Sequence, residues 1–301
     1  MTIFDYIRQF LESCEIEQGH SPKTIENYQH YLNRFAEFAE THEVSTVNDI
    51  TLELIRQWRL DLHRQELKPS TLNYHLIALR SFLKYLTKRD IVSLSSEKIE
   101  LAGQDQRAIS FLEPDEIDRL FAAPHIETLL GLRDRAIMQT LYSTGLRVSE
   151  LVGMNQEQIN LERGEFGVRG KGGKLRVVFL SDAAKDWLTR YLKKRTDDDP
   201  ALFVRRPKLK DLEENKSLRL TPRQIERIVQ GHAKDAGIVK RVHPNVLRHS
   251  LATDLLQNGA DLRSVQEILG HASVTTTQIY THVTNPRLKE VHQAFHDREK
   301  S

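Results

Sequence analysis

Apolar residues recur at spacings of three and four along most of this chain, which predicts a mainly helical protein. Ile3, Tyr6, Ile7 and Phe10 share one side of a helix over residues 2–14. Ser21-Pro22 opens a longer one, with serine as cap and proline in the first turn. Along it Ile25, Tyr28, Tyr31, Leu32, Phe35 and Phe38 form a buried stripe. Two further patterns run from Thr51 to Arg64 and, after Pro69, from Ser70 to Leu86. Residues 92–110, VSLSSEKIELAGQDQRAIS, are polar and lack this period, as a linker would. The pattern therefore divides the chain into a helical bundle at 1–91, a linker at 92–110 and a second domain at 111–301.

That second domain starts with an acid-rich helix at Glu113-Pro114-Asp115-Glu116. A buried helix from about Leu132 to Ser143 ends at Gly145, with Arg147 just beyond the break. Over 157–180 the character changes. QINL, EFGVRG and KLRVVFL are short, rich in Val, Ile and Phe, and broken by Arg163-Gly164 and Gly172-Gly173. They predict a small antiparallel sheet of three strands with Lys171 in its last turn. Helices at 182–195 and 222–236 follow, joined by a connector at 205–216 expected to be a mobile loop.

Residues 243–280, HPNVLRHSLATDLLQNGADLRSVQEILGHASVTTTQIY, concentrate the chemistry. Pro244 starts a helix on which Leu247, Leu251 and Leu255 line one face, and Asn258-Gly259 stops it. Asp261 caps the next, where Leu262, Val265, Ile268 and Leu269 mark the buried side and Gly270 closes it. His271 then falls just past a helix end, and Ser273 can cap a further helix carrying Tyr280. A tyrosine delivered beside an arginine and a histidine points to phosphoryl chemistry.

Composition narrows the picture modestly. The formal net charge is only +2, yet residues 1–100 hold 12 Lys and Arg against 15 Asp and Glu, while 163–219 hold 16 against 9. A basic segment of this kind suits either a nucleic-acid partner or a solvated face. Cys14 is the single cysteine, so neither an intramolecular disulfide nor a cysteine metal cluster is expected. The N-terminal MTIFDYIRQFLES does not read as a signal peptide, and no stretch approaches the roughly 20 apolar residues of a membrane span. A soluble, cytoplasmic protein is the expectation.

The run LRHSLATDLLQNGADLRSVQEILGHASVTTTQIYTHV, with TGLRVSEL at 144–151 upstream and GKGGK at 170–174, resembles the signature of the tyrosine recombinases, most closely the Xer-type site-specific recombinases. The resemblance covers nearly the whole chain. It implies a SAM-like N-terminal core-binding bundle and a C-terminal tyrosine-recombinase catalytic domain, closing as a clamp on duplex DNA. Lys23, Tyr28, Lys68, Ser70, Thr71, Asn73, Tyr74 and Arg80 would be phosphate-facing candidates in the bundle, each equally readable as plain surface or core.

The chemistry is coherent with that resemblance. Cutting DNA without water needs a nucleophile that keeps the phosphodiester energy in a covalent bond, and a tyrosine phenolate can do so. Negative charge builds on the non-bridging phosphate oxygens, where a permanently charged, bidentate arginine is the suited partner. The leaving 5′-oxygen needs a proton, which a lysine on a hairpin can give; no metal or other cofactor is called for. By resemblance Arg147 and Arg248 are the two arginines, Lys171 the acid, His271 the phosphate-bonding histidine and Tyr280 the nucleophile. The last helix, with Leu288, Val291 and Phe295 on one side, would dock into a neighbouring protomer.

One position departs from the family pattern. Where HxLRH is usual, the chain reads HPNVLRH, with Asn245 at the histidine position and His243 two residues earlier. Asparagine can donate to a phosphate oxygen but cannot act as a base. The implied activity is site-specific recombination through a 3′-phosphotyrosyl intermediate, in a homotetramer on two inverted-repeat sites, with chromosome or plasmid dimer resolution as the leading role. A paralogous recombinase or an activator remains open as a further partner. A mobile-element integrase, or a catalytically weak DNA-binding factor on account of Asn245, stand as alternatives.

Overall fold

The computed structural model describes residues 1–103, 110–170, 173, 175–207 and 216–270. Backbone proximity divides the chain into two units, Met1–Arg107 and Ala108–Ser301. Lys171, His271, Tyr280 and the segment with Leu288, Val291 and Phe295 lie outside the described residues, as does most of the 205–216 connector.

The first unit is built on four helices, α1 Ile3–Ile16, α2 Pro22–Thr41, α3 Leu52–Arg64 and α4 Pro69–Lys88. Their starts follow local chemistry. The Thr2, Ser21 and Thr51 hydroxyls each accept a backbone N–H of the first turn, from Asp5, Thr24 and Leu54. The predicted stripes meet in one core, where Phe35 stands edge-on to Trp58 at 4.9 Å and Phe10 edge-on to Phe82 at 5.8 Å. Asn73 departs from the phosphate-facing candidacy that the resemblance gave it. It is buried, and its amide donates to Ala102 O at 2.9 Å while its carbonyl accepts Ala102 N at 3.0 Å. Arg59 reaches Glu100 O nearby, and Ile99 is buried in the same core. Residues 99–102 are thereby strapped onto α3 and α4.

The second unit is organised around α6, Leu129–Thr144, after α5, Pro114–Ala122. On α6 the apolar Leu132, Ala136, Ile137, Met138 and Leu141 are buried, and so are the polar Arg133, Asp134, Gln139 and Thr140, so the helix is enclosed on all sides beyond its first turn. A short α7, Val148–Val152, follows the break at Gly145. Then come β1 Glu165–Arg169, β2 Leu175–Phe179, α8 Asp182–Lys194, α9 Pro222–Asp235, α10 Pro244–Gln257 and α11 Leu262–Leu269. Helices α8 and α10 pack on α6. Asp261 caps α11 as the sequence predicts, accepting from Arg263 N and Ser264 N.

The sheet is smaller than expected. β1 and β2 pair antiparallel, with Phe166 opposite Val178 and Val168 opposite Arg176. The predicted strand at QINL is instead a 3₁₀ turn at Gln156–Gln158 and a single bridge from Asn160 to Glu165. The Gln158 side chain closes that turn, its Oε1 accepting the Asn155 backbone N–H at 2.7 Å, a local hydrogen-bonding option that competes with the ladder. On β1 and β2, Phe166, Val168 and Val178 face the core. Leu175, Val177 and Phe179 point the other way and are 72%, 54% and 56% exposed. Among the described residues, no helix is long and apolar enough to cross a membrane.

Candidate active site

Three helix ends meet in the second unit, and each end is fixed by a feature legible in sequence. The first is Gly145, which closes α6 in the left-handed conformation at φ 61°. A β-carbon there would lie 2.8 Å from Leu269 Cδ2 and 3.1 Å from Leu251 Cδ2, so α6, α10 and α11 approach closely at this glycine. The second is the start of α7, where Arg147 is the N-cap and Glu150 accepts its backbone N–H at 2.8 Å. The third is Gly270, closing α11 at φ 63°.

The two arginines expected from the sequence converge on this junction. Arg248 lies on α10, 4% exposed. One of its terminal nitrogens donates to Gly145 O and the other to Leu269 O at 2.5 Å. Arg147, with its side chain 32% exposed, donates from Nη2 to Gly270 O at 3.3 Å and from Nη1 to Glu150 Oε1 at 3.0 Å. Two guanidinium groups, 101 positions apart in sequence, thus address consecutive carbonyls immediately before position 271. Lys171, His271 and Tyr280 lie outside the described residues.

Asn245 is exposed on the first turn of α10, one turn ahead of Arg248. His243 is the N-cap of that helix and half-buried, and its side chain makes no capping bond. Burial first, and then the nearby Arg241 charge, holds the His243 imidazole below its usual range. His249, next to Arg248, is pushed further, to about 4, by burial and then by the Arg248 and His243 charges.

Two members of the constellation are absent from the sequence reading. Glu150, whose side chain is 6% exposed, accepts Arg176 Nη1 on Oε1 at 2.9 Å and Nη2 on Oε2 at 2.7 Å. Burial would raise its pKa, but the Arg176 and Arg147 contacts outweigh that and hold the carboxyl below the usual range. Sequence carried a signal for each. Glutamate three residues after a cap is the capping-box position, and Arg176 is a charge at an inward register of an alternating strand. Further off, Tyr142 OH donates to Asp254 and Ser250 Oγ accepts Leu112 N at 2.8 Å, tying α10 to α6 and to the residues before α5. Among the described residues no three His, Cys, Asp or Glu side chains are grouped to hold a metal ion.

Comparison with known proteins gives two family matches. Residues 110–287 match the phage integrase family, and residues 7–90 match the phage integrase N-terminal SAM-like domain. The chain is 37% identical to the tyrosine recombinase XerD of Oceanobacillus iheyensis, across 97% of this chain and 98% of that relative. It is 38% identical to the tyrosine recombinase XerC of Pelobacter propionicus, across 99% and 97%. Among solved structures it resembles the XerH site-specific recombinase bound to a palindromic difH substrate, with a TM-score of 0.71 at 24% identity over 95% of this chain and 84% of that one.

Proposed function

The chain belongs to the phage integrase family of tyrosine recombinases and is a site-specific enzyme that cuts and rejoins DNA; from that premise we propose that it works through a 3′-phosphotyrosyl intermediate, with Tyr280 as the nucleophile. Arg147 and Arg248 hold the non-bridging oxygens of the scissile phosphate. Their charge is permanent and their planar donors suit a phosphate face, so they stabilise what develops in the pentavalent transition state. His271 adds a hydrogen bond to the same phosphate, Lys171 protonates the leaving 5′-oxygen, and Asn245 contributes a neutral donor where the family usually has histidine.

The observation that carries this reading is the convergence of Arg147 and Arg248 on the carbonyls of Gly270 and Leu269. Backbone carbonyls anchor both guanidiniums at one junction, which gathers two permanent positive charges as a single phosphate group requires. Residues 1–91 are the core-binding domain in this reading, and 111–301 the catalytic domain with its last helix exchanged between protomers. Four copies act on two inverted-repeat sites in the cytoplasm, in chromosome or plasmid dimer resolution.

A duplex nicked beside the cleavage position traps the intermediate, because the short leaving strand diffuses away. The wild type is expected to give a covalent protein–DNA adduct, and Tyr280→Phe none at nearly unchanged affinity. Adduct from Tyr280→Phe would remove Tyr280 from its role. Absence of adduct from the wild type, at saturating DNA carrying its own site, would favour the DNA-binding-factor alternative.

A further inference from the structure

Arg176 has no role in the reaction as described so far, yet it touches both groups that Arg147 touches. Its guanidinium is bidentate on Glu150, whose other donors are the Arg147 backbone N–H and Nη1. Its side chain also lies against Gly270, where a β-carbon would come within 2.8 Å of Arg176 Cδ and 3.1 Å of Nε. Gly270 O is the other acceptor of Arg147. The charged ends of both Arg176 and Glu150 are nearly out of water, at 11% and 6% side-chain exposure.

The charge arithmetic makes this arrangement matter. Glu150 with Arg147 alone is a neutral pair of a buried carboxylate and a partly exposed guanidinium, in which the carboxylate competes with any phosphate for that guanidinium. With Arg176 present the cluster holds two cations and one anion, a net +1. Both Glu150 oxygens then receive a strong donor from Arg176, and Arg147 keeps a positive field to offer outward. Arg176 also stands on β2, two residues after Lys174 and five after Lys171, so the same contact ties the hairpin strand to the turn that presents Arg147.

We infer that Arg176 is a positioning residue for strand cleavage: it occupies Glu150 so that Arg147 remains available to the phosphate, and it fixes β2 against the end of α11. The inference rests on the phosphotyrosyl reading above and deepens it at one residue. Arg176 itself touches neither DNA nor the nucleophile in this account.

The test is single-turnover cleavage of the nicked duplex, with affinity for the same duplex measured alongside. Arg176→Gln should slow cleavage by about 10²-fold, the loss typical of a transition-state donor, and change affinity by less than about threefold, one interior group among many phosphate contacts. Arg176→Lys keeps the charge and loses the fork, so a loss near tenfold is expected. Adding Glu150→Gln to Arg176→Gln should recover about tenfold, because the carboxylate that captures Arg147 is gone. Loss of a mere structural prop would be deepened by removing its partner. Cleavage by Arg176→Gln within about threefold of wild type, or a double variant no faster than Arg176→Gln, overturns the inference. If Arg176→Gln does not fold, Arg176→Lys decides, and a wild-type rate there overturns it. A wild type that forms no adduct overturns the phosphotyrosyl reading and this inference together, whereas equal adduct rates from wild type and Arg176→Gln overturn this inference alone.

Discussion

Gly145→Ala tests whether the junction of α6, α10 and α11 is as tight as it looks. Two costs are separable. Holding an L-residue at φ 61° costs about 1–2 kcal/mol. Placing a methyl 2.8 Å from Leu269 Cδ2 and 3.1 Å from Leu251 Cδ2 requires both side chains to shift, an overpacking cost of about 1–3 kcal/mol. The sum is roughly 2–5 kcal/mol. At about 2–4 °C per kcal/mol for a domain of this size, Tm of the second unit should fall by about 4–20 °C. Gly237→Ala is the matched control, since it has φ 67° and nothing within 4 Å of its β-carbon. It should lose only the backbone part, about 1–2 kcal/mol. Scanning calorimetry of the full chain reads both. In a Leu269→Ala background the nearer obstacle is gone, and Gly145→Ala should approach the control. Equal Tm losses for Gly145→Ala and Gly237→Ala would refute the contact argument, and with it the close approach that lets Arg248 reach Gly145 O.

Asn245→His should accelerate single-turnover cleavage, toward the low end of the about 10²–10⁴-fold range of acid–base groups, with new pH dependence near 6.5; identical rates from pH 6 to 9 would exclude an imidazole role at this position. Burial holds the native His249 pKa at about 4, against about 6.5 unfolded, so the imidazole folds neutral near pH 7; its contribution to stability is full above pH 6.5 and falls as pH drops toward 4. The loss is on the order of 2 kcal/mol by pH 5, and denaturant titrations of His249→Gln should show a flatter profile if the assignment holds. Asn73→Ala strands both backbone groups of Ala102 and should cost the first unit about 1–3 kcal/mol in urea unfolding, whereas a phosphate-contact role would lower DNA affinity and leave stability unchanged.

The sequence made the helices legible because their ends are set by neighbours in the chain. Ser21-Pro22, Thr51, Pro244, Asp261 and the two left-handed glycines act within one turn of themselves. Arg147 and Arg248 were found through the motifs around them, and the structure brings them to one place. What sequence hid depends on partners far along the chain. Asn73 reads as a polar helix residue until Ala102 arrives beside it, 29 positions later. Arg176 reads as one basic residue among many until Glu150 comes within 2.7 Å. QINL has strand-forming residues, but the Gln158 and Asn160 side chains offer the backbone local hydrogen bonds, and turns result.

The outer face of β2 carries a consequence for handling. Leu175, Val177 and Phe179 form an uncovered apolar row on a two-stranded ribbon, and β2 has no second strand neighbour among the described residues. An exposed apolar edge of this kind templates pairing with another molecule. The formal net charge of +2 supplies little colloidal repulsion to keep molecules apart. Concentrated, nucleic-acid-free stocks should therefore turn turbid through this ribbon first on mild warming. Val177→Lys or Val177→Glu, which places a charge mid-row away from the arginine cluster, is the substitution expected to lengthen shelf life.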